Sequence, residues 1–254
     1  MNKAYQLKIS IKDSHPPIWR RVVVPSGLTF SQLAIILIEA MGWSGYHLWS
    51  FEFYHRKLEL IEKDDVFGLE PSYGRDVADA ALACIDELME SEKWFTFIYD
   101  FGDYWEHRVE IEQVIEDYEY NYPKVIKYKG DCPPEDIGGI WAYQQYLKGG
   151  IDALLEERGY SKDDEDAEYI REDLVMKFEY NEYEVGYTNE KLKNTYHVTY
   201  GEQESRSARI LFDEALMYGK GFIATKNPSK IDIIKYKPSQ ADLSFLLKCL
   251  TDFK

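Results

Sequence analysis

The sequence predicts an α+β fold: a β-β-α start, a largely antiparallel curved sheet packed by helices, and a small C-terminal α-β-β-α extension. Three observations carry this prediction. Strand-like segments outnumber the helical ones and partly precede them, which favours α+β over alternating α/β order. Tyr5, Leu7, Ile9 and Ile11 alternate with Gln6, Lys8, Ser10 and Lys12, the period of a half-buried strand. Trp94 to Phe101 and Trp105 to Val114 flank a sharp Gly102-Asp103 turn, and so short a connection joins antiparallel strands.

The elements follow in order. Pro16-Pro17 ends the first strand, Ile18 to Val24 forms a second, and Pro25-Ser26-Gly27 turns the chain. Thr29 and Gln32 have capping-box spacing, and the helix they open places Leu33, Ile36, Leu37 and Ala40 on one face before Gly42. Strands are expected at Leu48 to Tyr54 and Leu58 to Ile61. After a loop with Pro71 and Gly74, a helix is expected from Val77 to Met89 with Asp76 as N-cap, its apolar stripe making Cys84 a core residue. Beyond the hairpin, the Pro- and Gly-rich segment from Cys132 to Gly139 leads into a helix from Trp141 to Glu157. The acid-rich stretch Asp163 to Asp173 reads as a solvated helix with Tyr169, Ile170 and Leu174 as its apolar edge.

Residues 1–197 are expected to form one domain, with an acidic helical region over about 140–197. The extension, 198–254, holds a helix at Ser207 to Tyr218, strands at Phe222 to Thr225 and Ile231 to Tyr236, and a last helix from Ser239 to Leu250. A unit of that size rarely buries enough surface alone, so it is expected to dock on the main domain.

The 254 residues carry a net charge of −16, unevenly spread. Residues 1–60 contribute +3 and 191–254 contribute +4, leaving −23 in 61–190. Such a field repels nucleic-acid phosphate and attracts cations. A basic protein partner is therefore expected, direct nucleic-acid binding is not, and the candidate acidic surface comprises Glu110, Glu112, Glu116, Asp117, Asp163, Asp164, Glu165 and Asp166. No apolar run approaches the roughly 18 residues that cross a bilayer, and the first residues lack a signal-peptide core, so a cytoplasmic protein is expected. Cys84, Cys132 and Cys249 lack the spacing of a zinc site or a disulfide framework. No phosphate-binding, dinucleotide or nucleophile-elbow motif occurs.

Five motifs stand in order along the chain: Pro17-Ile18-Trp19-Arg20-Arg21; Met41-Gly42-Trp43; His47-Leu48; Tyr99-Asp100-Phe101-Gly102-Asp103 with Trp105-Glu106-His107; and Cys132-Pro133-Pro134-Glu135-Asp136 with Gly138-Gly139. Together they resemble the plasmid Ri ORF-3-like family, whose members are often labelled insertion-element passenger TnpR-family proteins. The resemblance continues to Phe178-Glu179-Tyr180-Asn181 and Asn189 to Leu192. It implies a compact α+β fold and an association with plasmids and mobile elements. It brings no established reaction and no catalytic residues, and the chain lacks the nucleophilic serine with arginine cluster that strand exchange would need.

Chemistry concentrates around the hairpin. Strand alternation places Trp105, His107, Val109 and Ile111 on one face and Glu106, Arg108, Glu110 and Glu112 on the other. His107 is thus expected in the core, hydrogen-bonded to a carboxylate, and Asp103 is expected to bind nearby backbone N–H groups of its turn. Arg20 and Arg21 lie on opposite faces of a strand, so at most one is expected to face the interior, where a structural pairing with Asp100 or Glu106 is expected of it. No cofactor is required by the sequence; a divalent metal is the possible one, with His47, Asp100, Asp103 and His107 as its candidate ligands. The leading expectation is a non-catalytic accessory protein of a mobile element acting through its acidic surface, for instance as an anti-CRISPR-like inhibitor of a host nucleic-acid-binding protein. The alternatives are a metal-dependent hydrolase built on the hairpin and a DNA-binding recombination accessory protein. The oligomeric state is not encoded in these features.

Overall fold

The computed structural model describes residues 2–62, 75–161, 164–179 and 182–196. β1 (Asn2–Ile11) and β2 (Trp19–Pro25) form an antiparallel pair, followed by α1 (Phe30–Met41), β3 (Trp49–Phe53), β4 (Leu58–Ile61) and β5 (Asp76–Asp79). Then come α2 (Ile85–Ser91), β6 (Trp94–Tyr99), β7 (Trp105–Tyr118), β8 (Lys124–Lys129), α3 (Gly139–Glu157), α4 (Glu165–Glu179) and α5 (Val185–Thr195). Among the described residues the strands make one sheet, ordered β5-β4-β3-β6-β7-β1-β2-β8 and antiparallel except between β4 and β5. The expected α+β fold with a curved, unclosed sheet is what forms. Irregularities in the β1–β7 register, between Asn2 and Ala4 and between Gln6 and Leu7, bend the long β7 strand.

One face of the sheet is apolar, because β1, β2, β6 and β7 alternate as the sequence dictates. Tyr5, Leu7 and Ile9 are fully buried beside Val22, Val24, Phe97 and Val109. α1 covers this face. Its capping box is present: Gln32 N donates to Thr29 Oγ1 (3.2 Å) and Thr29 N to Gln32 Oε1 (2.9 Å). Gly42, at φ 111°, ends the helix in the left-handed conformation, where a side chain is strained. Phe30 packs edge-on against Phe51, Phe53 and Phe95, joining helix to sheet through aromatic contacts.

The opposite face is a pattern of opposite charges. Strand register sets Lys12 against Glu106 (2.8 Å), Lys8 against Glu110 (3.3 Å) and Arg21 against Glu112 (2.5 Å), with Gln6 also donating to Glu112 (2.8 Å). Glu110 and Glu112 therefore meet cations from β1 and β2.

Several expectations require correction. The helix expected over Val77–Met89 is a short strand, a turn and a shorter helix. Asp76–Asp79 is recruited into parallel pairing with β4, where Asp76 N donates to Lys57 O (2.7 Å) and Ala80 N to Ile61 O (2.8 Å). Cys84, buried as expected, is the N-cap of α2. The hairpin connection is five residues, Asp100–Tyr104, rather than a two-residue turn. β8 has only Val125 buried and gave no readable alternation. α3 is broken at Gly149-Gly150, where Gly150 takes φ 68°. In α4, Leu174 is fully buried and Ile170 packs on the core, but Tyr169 faces solvent. The strands and helices expected in 198–254 lie outside the described residues. Among the described residues no helix is long and apolar enough to cross a membrane.

Candidate functional site

The β6–β7 connection opens at the end of the sheet where the chain enters β3. Asp100, the first residue of the connection, adopts φ 58°, which Asp tolerates better than most residues. Its Oδ1 accepts hydrogen bonds from Gly102 N (2.9 Å) and Asp103 N (3.3 Å), and its own N–H donates to Leu48 O (2.8 Å). These contacts fix a carboxylate that is 6% exposed and turn Oδ2 toward His47, whose Nδ1 lies 3.6 Å away.

A third residue completes the cluster. Asp136, at φ 59° in the loop before α3, places Oδ1 3.3 Å from His47 Nε2. One ligand atom from each of His47, Asp100 and Asp136 lies within 4.8 Å of the other two. Lys177 of α4 approaches the outer oxygen of Asp136 at 4.0 Å while pairing with Asp173 at 3.4 Å.

Of the expected ligands, His47 and Asp100 meet; Asp103 and His107 do not join them. Asp103 works at longer range than the local turn expected of it. Its carboxylate accepts hydrogen bonds from Ile137 N (3.0 Å) and Gly138 N (3.1 and 3.2 Å), thereby holding the loop that carries Asp136. The approach is so close that a Cβ at Gly139 would lie 2.1 Å from the Asp103 carbonyl oxygen. Glycine is obligatory there. Glu135 anchors the same loop by accepting from the Tyr99 hydroxyl and from Ser44 N (3.1 Å) and Oγ (2.5 Å). Tyr99, which also stands edge-on to His47, has its phenol pushed up by burial and by Glu135.

His107 is fully buried in the core, as its strand face required, but its partner is a backbone carbonyl and not a carboxylate. Its Nδ1 lies 3.1 Å from Phe97 O, so the proton belongs on that nitrogen. Burial lowers its pKa to about 4, leaving a neutral ring packed edge-on to Trp43. Arg20 meets neither Asp100 nor Glu106. Its guanidinium donates to the carbonyls of Trp19, Lys129, Gly130 and Met41 and lies 3.7 Å from the Tyr183 ring centroid. The Met41 carbonyl is at the C-terminal end of α1, where the helix dipole favours a cation. Trp19 lies beside it on β2, while Pro133 O accepts from Trp43 Nε1 (2.8 Å), tying the Cys132-Pro133-Pro134 segment to the end of α1. Burial pushes the Cys132 thiol far up, which removes it as a nucleophile.

Asp136 is the member of the cluster that sequence reasoning missed. It belongs to a recognised motif, but nothing in a Pro-Pro-Glu-Asp run reveals which strand end it will face. Of the expected acidic surface, Glu116 and Asp117 are exposed near the far end of β7 and Asp164 accepts from Ser161 N (2.6 Å) ahead of α4. Glu165 and Asp166 open α4, and Asp163 lies outside the described residues.

A family model described as plasmid pRiA4b ORF-3-like protein matches residues 3–186, a stretch that includes all three clustered residues. The chain belongs to this family. A plasmid pRiA4b ORF-3-like assignment agrees with the resemblance carried by the five motifs. The chain is also similar to the uncharacterized protein y4hQ of Sinorhizobium fredii NGR234, 35% identical over 151 residues, covering 59% of this chain and 75% of that protein. A crystal structure of a protein of unknown function from Methanosarcina mazei Go1 resembles it with a TM-score of 0.54 and 29% identity, covering 73% of this chain and 93% of that one. These likenesses carry fold and family, and no reaction.

Proposed function

We propose that the chain binds a divalent cation through His47, Asp100 and Asp136 and uses it as a metal-dependent hydrolase. The observation that carries this reading is the convergence of one imidazole and two carboxylates within 4.8 Å. Imidazole with carboxylate oxygens suits zinc, manganese or iron(II), and three protein ligands leave positions for water, whose pKa a bound cation lowers. His47 and Asp136 are partly exposed, so the open side faces solvent, while Asp100 is held from behind by its turn. Lys177 beside Asp136 adds a positive charge suited to an anionic substrate.

Uptake of manganese or zinc by the metal-stripped chain, followed by calorimetry and elemental analysis, tests the proposal. One equivalent is expected in the wild type, and His47→Ala and Asp136→Asn are each expected to weaken binding by at least about tenfold. Asp136 is exposed enough for its variant to keep the fold. Uptake unchanged in both variants, or no uptake at all, would overturn it.

A second reading is an accessory protein of a mobile element that meets a basic partner through an acidic surface. The net charge of −16 favours it. Because the acids of β7 that face β1 and β2 already meet cations, that surface is better sought on the helical side.

A further inference from the structure

We infer that the cleft between the end of α1 and the start of α5 receives an arginine or lysine side chain of a basic partner protein. This inference does not depend on a cation at His47, Asp100 and Asp136. The cleft has a volume of about 230 Å³. Its walls carry the carboxylates of Glu39, Glu182 and Glu184 and the rings of Trp43, Tyr183 and Tyr187. Among the described residues Lys191 is the one cation in the lining, with Arg20 behind the Tyr183 ring. Carboxylates in excess of ammonium groups, set among aromatic faces, select for a cation and reject phosphate.

Acidic residues on a surface are common, and one buried acceptor distinguishes this cleft. The Glu39 side chain is 11% exposed, and its Oε1 takes the Lys191 ammonium (3.1 Å) and the Tyr196 hydroxyl (3.3 Å). Its Oε2 is buried with no hydrogen-bond partner. Tyr183 is 8% exposed, its ring lies against the Arg20 guanidinium and its hydroxyl sits beside Thr188 and Arg20. Buried polar atoms are ordinarily paired, so this Glu39 oxygen awaits a donor. Lys191 displays the chemistry in miniature, since the chain already sets one ammonium against Glu39. A guanidinium or second ammonium entering past the exposed Tyr187 ring would meet the remaining oxygen, with Glu182 and Glu184 at the rim.

The test uses the full chain and a fluorescently labelled arginine-rich nonapeptide, read by anisotropy, with spermidine as competitor. Glu182→Gln with Glu184→Gln is expected to weaken peptide binding by about tenfold, and both positions are exposed enough to leave the fold intact. Lys191→Ala is expected to tighten binding severalfold by vacating Glu39. The control pair Glu116→Gln with Asp117→Asn, on β7 and outside the cleft lining, is expected to change nothing. Three results would overturn the inference: the control pair weakening binding as much as the cleft pair, Lys191→Ala leaving affinity unchanged or weaker, or spermidine binding more tightly than the peptide. The first would assign binding to diffuse charge, and the last to a polyamine.

Discussion

The outer face of the sheet and the end of its β6–β7 connection are both rich in charged side chains, yet they use them differently. On the outer face, register sets Lys8 of β1, Lys12 just beyond its end and Arg21 of β2 against Glu110, Glu106 and Glu112 of β7. At the connection, Asp100 and Asp136 converge on one imidazole, with Lys177 beside Asp136. Strand pairing distributes opposite charges in a repeating pattern and satisfies them locally. Loops from separate parts of the chain can instead gather like charges, and they do so only where backbone hydrogen bonds hold them there. The difference locates functional potential at the strand end and not in the more numerous charges of the face.

The largest expected effect breaks the gathering. Gly139→Ala puts a Cβ against the Asp103 carbonyl at a residue with φ 74°, so the loop holding Asp136 must shift. Thermal unfolding is expected to register a loss of about 3 kcal/mol or more, together with loss of cation uptake. Retention of both would show that the loop is not held by this approach.

A second test concerns the buried side of β7, one residue from Glu106. His107 is held at about 4 against an ordinary value of 6.5. Between those values the unfolded chain binds a proton that the folded chain refuses. Stability is therefore expected to fall as pH drops from about 6.5 toward 4, by roughly 3 kcal/mol across the window. Urea unfolding at several pH values, compared with His107→Leu, isolates this contribution; an identical pH dependence in the variant would refute it. The smallest effect belongs to the outer face. A double-mutant cycle on Arg21→Ala and Glu112→Ala is expected to give a coupling of about 1 kcal/mol or less, shrinking with salt. A much larger coupling would erase the contrast between the two regions.

Much of this was legible in the sequence for a stated reason. The alternation of Tyr5 to Ile11 and Trp105 to Ile111 fixes which side chains face the core, and places His107 inside. Thr29 and Gln32 marked the start of α1, and Gly42 its end, because capping is a local exchange of hydrogen bonds. The Val77–Met89 expectation failed because Asp76–Asp79 finds a partner strand, and pairing with β4 outweighs a helical stripe built largely from small residues. The partner of Arg20 was missed for a related reason: backbone carbonyls from three segments receive it, and no carboxylate pattern announces them.

The sequence by itself determined the family, the α+β class, the buried face of each long strand and the residue types available for chemistry, since these follow from local periodicity and ordered motifs. Tertiary structure alone decided that Asp136 joins His47 and Asp100, that Asp103 serves the loop, and that Glu110 and Glu112 meet cations. Those outcomes depend on distances between residues far apart in the chain, which strand register and long-range hydrogen bonds set and composition does not.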